Sequence, residues 1–152
     1  RDLIRPDFES MMKASAGAGH SLMMNSGFRS SQKQAFYYNN YVKNSGETAA
    51  NKFSAKPGYS EHQTGLSMDI SYQNRKCYLE ECFGDSAAGT WLAEHAHEYG
   101  FILRYPKGKE AITGYQYEPW HFRFVGKKTA NEIYQNGMSY EEYLISKDLI
   151  TS

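Results

Sequence analysis

The chain predicts an α+β domain with a mainly antiparallel sheet and helices packed around it. Three observations lead there. Helical and strand segments are mixed without the regular strand–helix–strand alternation that builds a parallel sheet. Gly65 to Tyr72 alternates, with Leu66, Met68 and Ile70 on one face and Ser67, Asp69 and Ser71 on the other, as a half-buried strand requires. At 152 residues the chain suits one domain, spanning residues 1–152, with an ordinary core.

Taken in order, Arg5 to Ala16 is a helix with Pro6 in its first turn and Phe8, Met11 and Met12 on one side; Gly17 and Gly19 end it. Ser21 to Asn25 is a short apolar strand. Ser31 to Lys43 is a second helix, whose aromatics Phe36, Tyr37 and Tyr41 recur at helical spacing and are expected to pack in the core. Asn44-Ser45-Gly46 closes it, and Glu47 to Phe53 makes a further helical turn or two. Pro57 and Gly58 mark Ser54–Ser60 as a loop. After the alternating strand, Asn74–Asp85 is a loop that holds both cysteines. Ser86–Tyr99 is a helix with Trp91, Leu92 and His95 clustered and Gly100 as its stop. Phe101–Tyr105 is a strand, Pro106–Gly114 a polar turn region, and Tyr115–Val125 another strand. Thr129–Gln135 and Ser139–Ile145 are closing helices; Gly137 follows the first, and Ser139 with Glu142 forms a capping box for the second.

Composition narrows the function. Lys+Arg and Asp+Glu balance at 17 each, so nothing draws the chain to nucleic acid or to an anionic membrane surface. No apolar run approaches a membrane span, and no signal peptide is visible. The chain starts at Arg1 rather than methionine, which leaves room for an upstream segment, including a membrane anchor. Cys77 and Cys82 have four residues between them. They are read as a disulfide first, as free thiols second, and last as half of a zinc site with His95 and His97, whose spacing fits such sites poorly.

Two segments hold groups suited to metal chemistry. Ser60-Glu61-His62-Gln63-Thr64-Gly65-Leu66-Ser67-Met68-Asp69 places a histidine and an aspartate seven positions apart, with a glycine between them to allow a tight turn. Glu118-Pro119-Trp120-His121 adds a second histidine with a glutamate three positions before it. Two imidazoles and one carboxylate, with a spare carboxylate as base, match a catalytic zinc that keeps an open position for water. The plain alternative stands beside this: a loop histidine is ordinarily hydrogen-bonded or solvated, polar residues alternate along any half-buried strand, and Glu118 is then a surface charge beside the core anchor Trp120.

Ser60-x-His62-x-x-Gly65-x-x-x-Asp69 followed by Glu118-Pro-Trp-His121 resembles the zinc D-alanyl-D-alanine carboxypeptidases of the VanY type, within the wider group that includes lysostaphin-like peptidases and the hedgehog signalling domain. The similarity extends to Ser26-Gly27-Phe28-Arg29-Ser30 with Gln34, and to Gly46-Glu47-Thr48-Ala49-Ala50. It also takes in Trp91-Leu92, Tyr99-Gly100-Phe101 and Arg104-Tyr105-Pro106-x-Gly108-Lys109, so it runs from about residue 20 to residue 126. Ser67 is a small departure, since many relatives have alanine there.

The resemblance implies a zinc site in a groove on the sheet, with His62, Asp69 and His121 as ligands and Glu118 as base. Arg29 would polarise the scissile carbonyl, a role suited to an always-charged guanidinium. Gln34 would hold the peptide backbone, Ser60 would hydrogen-bond the substrate carboxylate, and Ser54 would assist. His20, His95 and His97 match no motif and are expected to be structural or surface residues. The implied activity is D,D-carboxypeptidase trimming of peptidoglycan stem peptides by a monomer in the bacterial cell envelope, outside the cytoplasm, with a cytoplasmic location as the alternative. L,D-carboxypeptidase action on tetrapeptides, endopeptidase action and a non-catalytic zinc-containing binding module are the alternatives. Asn74–Asp85 and Lys107–Gly114 are the loops expected to cap the groove and set the choice.

Overall fold

The computed structural model describes residues 1–151; Ser152 lies outside the described residues. Four strands, β1 (Leu22–Ser26), β2 (Ser67–Tyr72), β3 (Phe101–Leu103) and β4 (His121–Phe124), form one sheet in the order β1–β2–β4–β3. Every neighbouring pair is antiparallel, which bears out the α+β expectation. One face is apolar. Met68 and Ile70 of β2 and Phe122 of β4 pack there against Met11 of α1 (Arg5–Gly17) and Leu92 of α4 (Ala87–His95), all nearly or fully buried. The register sets Met68 opposite Phe122, with the pairs Ser67–Arg123 and Asp69–His121 on either side of it, so those two flanking pairs share the polar face. That face is covered too, since Ser67, Asp69 and Ser71 are as buried as the apolar residues between them.

Several expected boundaries move. The strand expected over Tyr115–Val125 pairs only at His121–Phe124. Pro119 has no N–H to give a ladder, and the preceding amides bond elsewhere: Gln116 N–H to the Lys52 carbonyl and Glu118 N–H to the Tyr105 carbonyl. Residues 115–120 are therefore a strap across the polar face. The helix expected over Ser86–Tyr99 is α4 followed by a 3₁₀ turn, Ala96–Tyr99, and of Phe101–Tyr105 only Phe101–Leu103 is strand, although Arg104 N–H still donates to the His121 carbonyl. The Pro106–Gly114 turn contains a short helix, α5 (Glu110–Thr113). The closing helices are α6 (Lys127–Gln135) and α7 (Tyr140–Ser146), and the Ser139–Glu142 capping box forms with both of its hydrogen bonds.

The second helix corrects a larger expectation. Helix α2 (Ser31–Ser45) does not bury its aromatic stripe: Phe36 is 64% and Tyr41 39% exposed. The buried positions are Gln34 and Tyr38. The helix lies beside the polar groove rather than on the apolar core, so its inward line carries hydrogen-bonding groups. Tyr38 donates to the Asn51 side chain at 2.7 Å, just beyond the short helix α3 (Glu47–Ala50). Tyr41 instead stacks edge-on with Phe53 at the groove rim.

Cys77 and Cys82 form a disulfide, the first of the readings above. Among the described residues no helix is long and apolar enough to cross a membrane.

One packing test follows from α4. A Cβ on Gly89 would fall 2.0 Å from the carbonyl oxygen of the fully buried Phe83. Alanine normally gains roughly 0.5–1 kcal/mol over glycine in a helix. Here the overpacking cost of about 1–3 kcal/mol outweighs that gain. Gly89→Ala is expected to lower the melting temperature by several degrees in a thermal scan, at about 2–4 °C per kcal/mol for a domain of this size. An unchanged or raised melting temperature would show that the Phe83 turn yields freely.

Candidate metal centre and peptide groove

His62, Asp69 and His121 come together by two devices, a cross-strand pairing and a tight turn. Asp69 and His121 are directly opposed on neighbouring antiparallel strands, which brings their side chains to the same spot on the polar face. His62 arrives in a 3₁₀ turn, Glu61–Thr64, that ends at Gly65 in the left-handed region (φ 69°) and so reverses into β2. The Ser26–Ser30 segment grips that turn from the other side. Arg29 N–H donates to the His62 carbonyl, and Nδ1 of His62 lies 2.8 Å from the Gly27 carbonyl oxygen. A carbonyl only accepts, so Nδ1 carries the proton and Nε2 is left with its lone pair.

That Nε2 faces Asp69 Oδ2 at 3.4 Å, and Nδ1 of His121 faces Asp69 Oδ1 at 3.3 Å. The candidate ligand atoms of the three residues lie within 4.8 Å of one another, and all three side chains are buried. Asp69 Oδ1 has no hydrogen-bond donor, an expensive state for a buried carboxylate oxygen unless a cation completes it. Two imidazoles and a carboxylate with a fourth direction open are the donor set of a catalytic zinc. The fit is good. The other acidic and thiol cluster, Cys77, Glu80 and Cys82, offers no thiolate, because its cysteines are joined.

Charge is arranged to match. Burial would raise Asp69, but His121 and His62 override it and hold the carboxyl well below its usual range. Burial would likewise lower His121, yet Asp69 and Glu61 raise it to about 9. The negative potential that attracts a proton there attracts a divalent cation equally. Glu118 differs. Burial dominates and pushes its carboxyl up to about 7, so it can accept and return a proton near neutral pH. Its Oε2 lies 3.7 Å from Nδ1 of His121, set there by the turn in which His121 N–H donates to the Glu118 carbonyl.

The remaining expected residues all line one groove of about 220 Å³ with the cluster at its floor. Arg29 donates to Ser26 Oγ and to Gln34 Oε1, both at 3.0 Å, and its guanidinium lies over the Tyr37 ring. Gln34 is only 1% exposed, and its amide nitrogen donates to the Ala55 carbonyl and Ser54 Oγ. The amide expected to hold a substrate backbone is thus occupied in fixing Arg29 and the Ser54–Ala55 segment. Ser54 and Ser60 sit in the wall, both largely buried. Of the two loops expected to cap the groove, Asn74–Asp85 contributes Leu79, whereas no residue of Lys107–Gly114 lines it. His97 stacks on Tyr134, His95 pairs with Glu98, and His20 packs on Trp91, all away from the cluster.

Sequence reasoning missed Tyr105, Tyr115 and Glu61. Tyr105 and Tyr115 stack as one wall, with the Tyr105 ring 5.0 Å from His121. The signal available for Glu61 was a charged residue one position before a ligand, in a segment destined for burial.

The family model described as VanY, D-alanyl-D-alanine carboxypeptidase, matches residues 1–127. A Bacillus subtilis (strain 168) protein, YodJ, is 48% identical over 135 residues, which cover 89% of this chain and 50% of that protein. The chain thus spans about half the length of that relative. The LdcB LD-carboxypeptidase, solved in work on peptidoglycan recognition, superposes with a TM-score of 0.89 at 46% identity, over 95% of this chain and 68% of that one. A variant of the vancomycin resistance D,D-pentapeptidase VanY, in complex with Zn(II), superposes with a TM-score of 0.82 at 34% identity, over 93% and 81%.

Proposed function

This chain belongs to the VanY family of D-alanyl-D-alanine carboxypeptidases, and from that premise we propose that it removes the C-terminal D-alanine from peptidoglycan stem peptides. The observation that carries the proposal is the proton-accepting Glu118 beside the His62–Asp69–His121 cluster, with Arg29 fixed across the same groove. His62, Asp69 and His121 would hold zinc, which supplies a Lewis acid and lowers the pKa of a water towards roughly 7.

The chain's own residues do the rest. Glu118, kept near neutrality by burial, takes the proton of the attacking water and returns it to the leaving amine. Arg29 donates to the scissile carbonyl oxygen as negative charge develops there. Its guanidinium is held by Ser26 and Gln34 before substrate arrives, so little reorganisation is needed. Ser60 and Ser54 present hydroxyls along the wall for the terminal carboxylate. The disulfide suits an oxidising compartment, in keeping with action at the cell envelope.

A second reading is kept because one observation favours it. The similarity to the LdcB LD-carboxypeptidase exceeds that to the VanY D,D-pentapeptidase, in identity and in superposition. On that reading the substrate is a tetrapeptide stem, and the residue before the terminal D-alanine has the L configuration at the bond cut.

Mass spectrometry of products from synthetic stem peptides separates the readings. Release of alanine from a peptide ending in D-Ala-D-Ala supports the first; release only from a tetrapeptide with a single D-Ala supports the second. In either case a C-terminal amide is expected to abolish cleavage, because an exopeptidase must recognise the free carboxylate. Efficient hydrolysis of the amidated peptide, or cleavage at internal bonds, would replace both readings with an endopeptidase.

A further inference from the structure

Glu61 is the most heavily contacted carboxylate of the polar face that the proposed chemistry does not use. Its Oε1 accepts from Arg104 Nε at 2.8 Å and lies 3.1 Å from Arg123 Nη1. Its Oε2 accepts from Ser67 Oγ at 3.1 Å and lies 3.6 Å from Nε2 of His121. That nitrogen is buried and has no hydrogen-bond partner. The other ring nitrogen of His121, Nδ1, is the one turned to Asp69 and Glu118. Ser67 and Arg123 form the cross-strand pair next to Asp69 and His121, so Glu61 lies over the adjoining rung of the same face. Arg104 is itself fixed at its far end, where its two terminal nitrogens fork onto Glu141 of α7.

We infer that Glu61 is a positioning residue of the metal centre, whose arginine-clamped carboxylate holds the Nε2–H of His121 and thereby turns the Nδ1 lone pair toward Asp69 and His62. The inference rests on His121 being a zinc ligand and adds a role for a side chain that is not itself a ligand. The chemistry is that of acceptors. A carboxylate only accepts, so the nitrogen facing it carries the proton and the opposite nitrogen is left free to ligate. The gap of 3.6 Å is an ion-pair contact, and an approach of about half an ångström makes it a hydrogen bond. His62 is fixed in the same sense by the Gly27 carbonyl, but by a neutral group. The charged partner makes His121 the more basic ligand of the two. Two arginines are needed because a carboxylate buried beside Asp69 and Glu118 would otherwise repel them.

The first test needs no variant. Long-range ¹H–¹⁵N correlation spectra of the zinc-loaded, ¹⁵N-histidine-labelled protein are expected to show His121 protonated at Nε2 and metallated through Nδ1, its signals assigned by their loss in His121→Ala. Metallation through Nε2 overturns the inference. The second test is zinc affinity by competition with a chromophoric chelator, with melting of the metal-free protein measured in parallel. Glu61→Ala is expected to lose roughly 10- to 100-fold in affinity, and Glu61→Gln, which keeps an acceptor oxygen, a smaller factor. Variants that melt lower but bind zinc as tightly as the parent would reduce Glu61 to a structural clamp and overturn the inference alone. If His121→Ala retains zinc, the ligand assignment fails first, and the role of Glu61 with it.

Discussion

His121→Ala is expected to take the bound zinc from near one equivalent to near none after dialysis against a mild chelator, and to abolish peptide hydrolysis. Three protein ligands are the minimum for a catalytic site, and each is held in place before the metal arrives. His121 would supply its ligand atom from the middle of the sheet, opposite Asp69, and no other imidazole or thiolate among the described residues lies within reach to replace it. Removing the ring also leaves Asp69 facing only His62 and, at 3.8 Å, Arg29. Elemental analysis of protein purified without added metal, with His97→Ala as a control far from the cluster, measures the effect. Zinc that persists in His121→Ala would show that the metal sits elsewhere. The metal-free fold should survive the change, because the apolar core is on the opposite face of the sheet. Circular dichroism separates loss of metal from loss of structure.

The metal cluster was legible because its parts are local. His62, Gly65 and Asp69 lie within one turn and one strand, and Glu118 and His121 within one turn, so spacing grouped each set, while joining the two sets into one site came from the family resemblance. Alternation likewise revealed β2 and its buried apolar face, and the Ser139–Glu142 pair revealed the start of α7. What was not legible depends on register and on coverage. Glu61 meets Arg104 across 43 positions of sequence, through a sheet order that no local pattern encodes. The aromatic stripe of α2 has helical spacing, but spacing does not say which face of a helix meets the core. Its inward line is Gln34 and Tyr38 because the surface it covers is a polar groove. Residues 115–120 looked like strand because Tyr115 and Tyr117 alternate with polar residues, yet their amides bond to loops instead.

Glu118→Gln is expected to keep the zinc and lose the chemical step. The substitution preserves the size and much of the hydrogen-bonding shape of a buried side chain while removing its ability to take a proton. Loss of a general base typically lowers the rate roughly a hundred- to ten-thousand-fold. The loss should fall on kcat with KM little changed, because proton transfer is realised only in the transition state. Glu118 is positioned for that division of labour. It stands 3.7 Å from Nδ1 of His121, yet it is not among the three residues whose ligand atoms converge, and burial rather than an ion pair sets its proton affinity. A carboxylate bound to the metal would have its charge neutralised and its proton affinity lowered, so the base belongs beside the metal rather than on it. The decisive comparison is elemental analysis and single-turnover kinetics on the same preparation. One equivalent of zinc with a rate reduced by two to four orders of magnitude, the range given above for general-base loss, supports Glu118 as the base. Full turnover with zinc retained would remove Glu118 from the mechanism, and loss of zinc would make it a ligand instead.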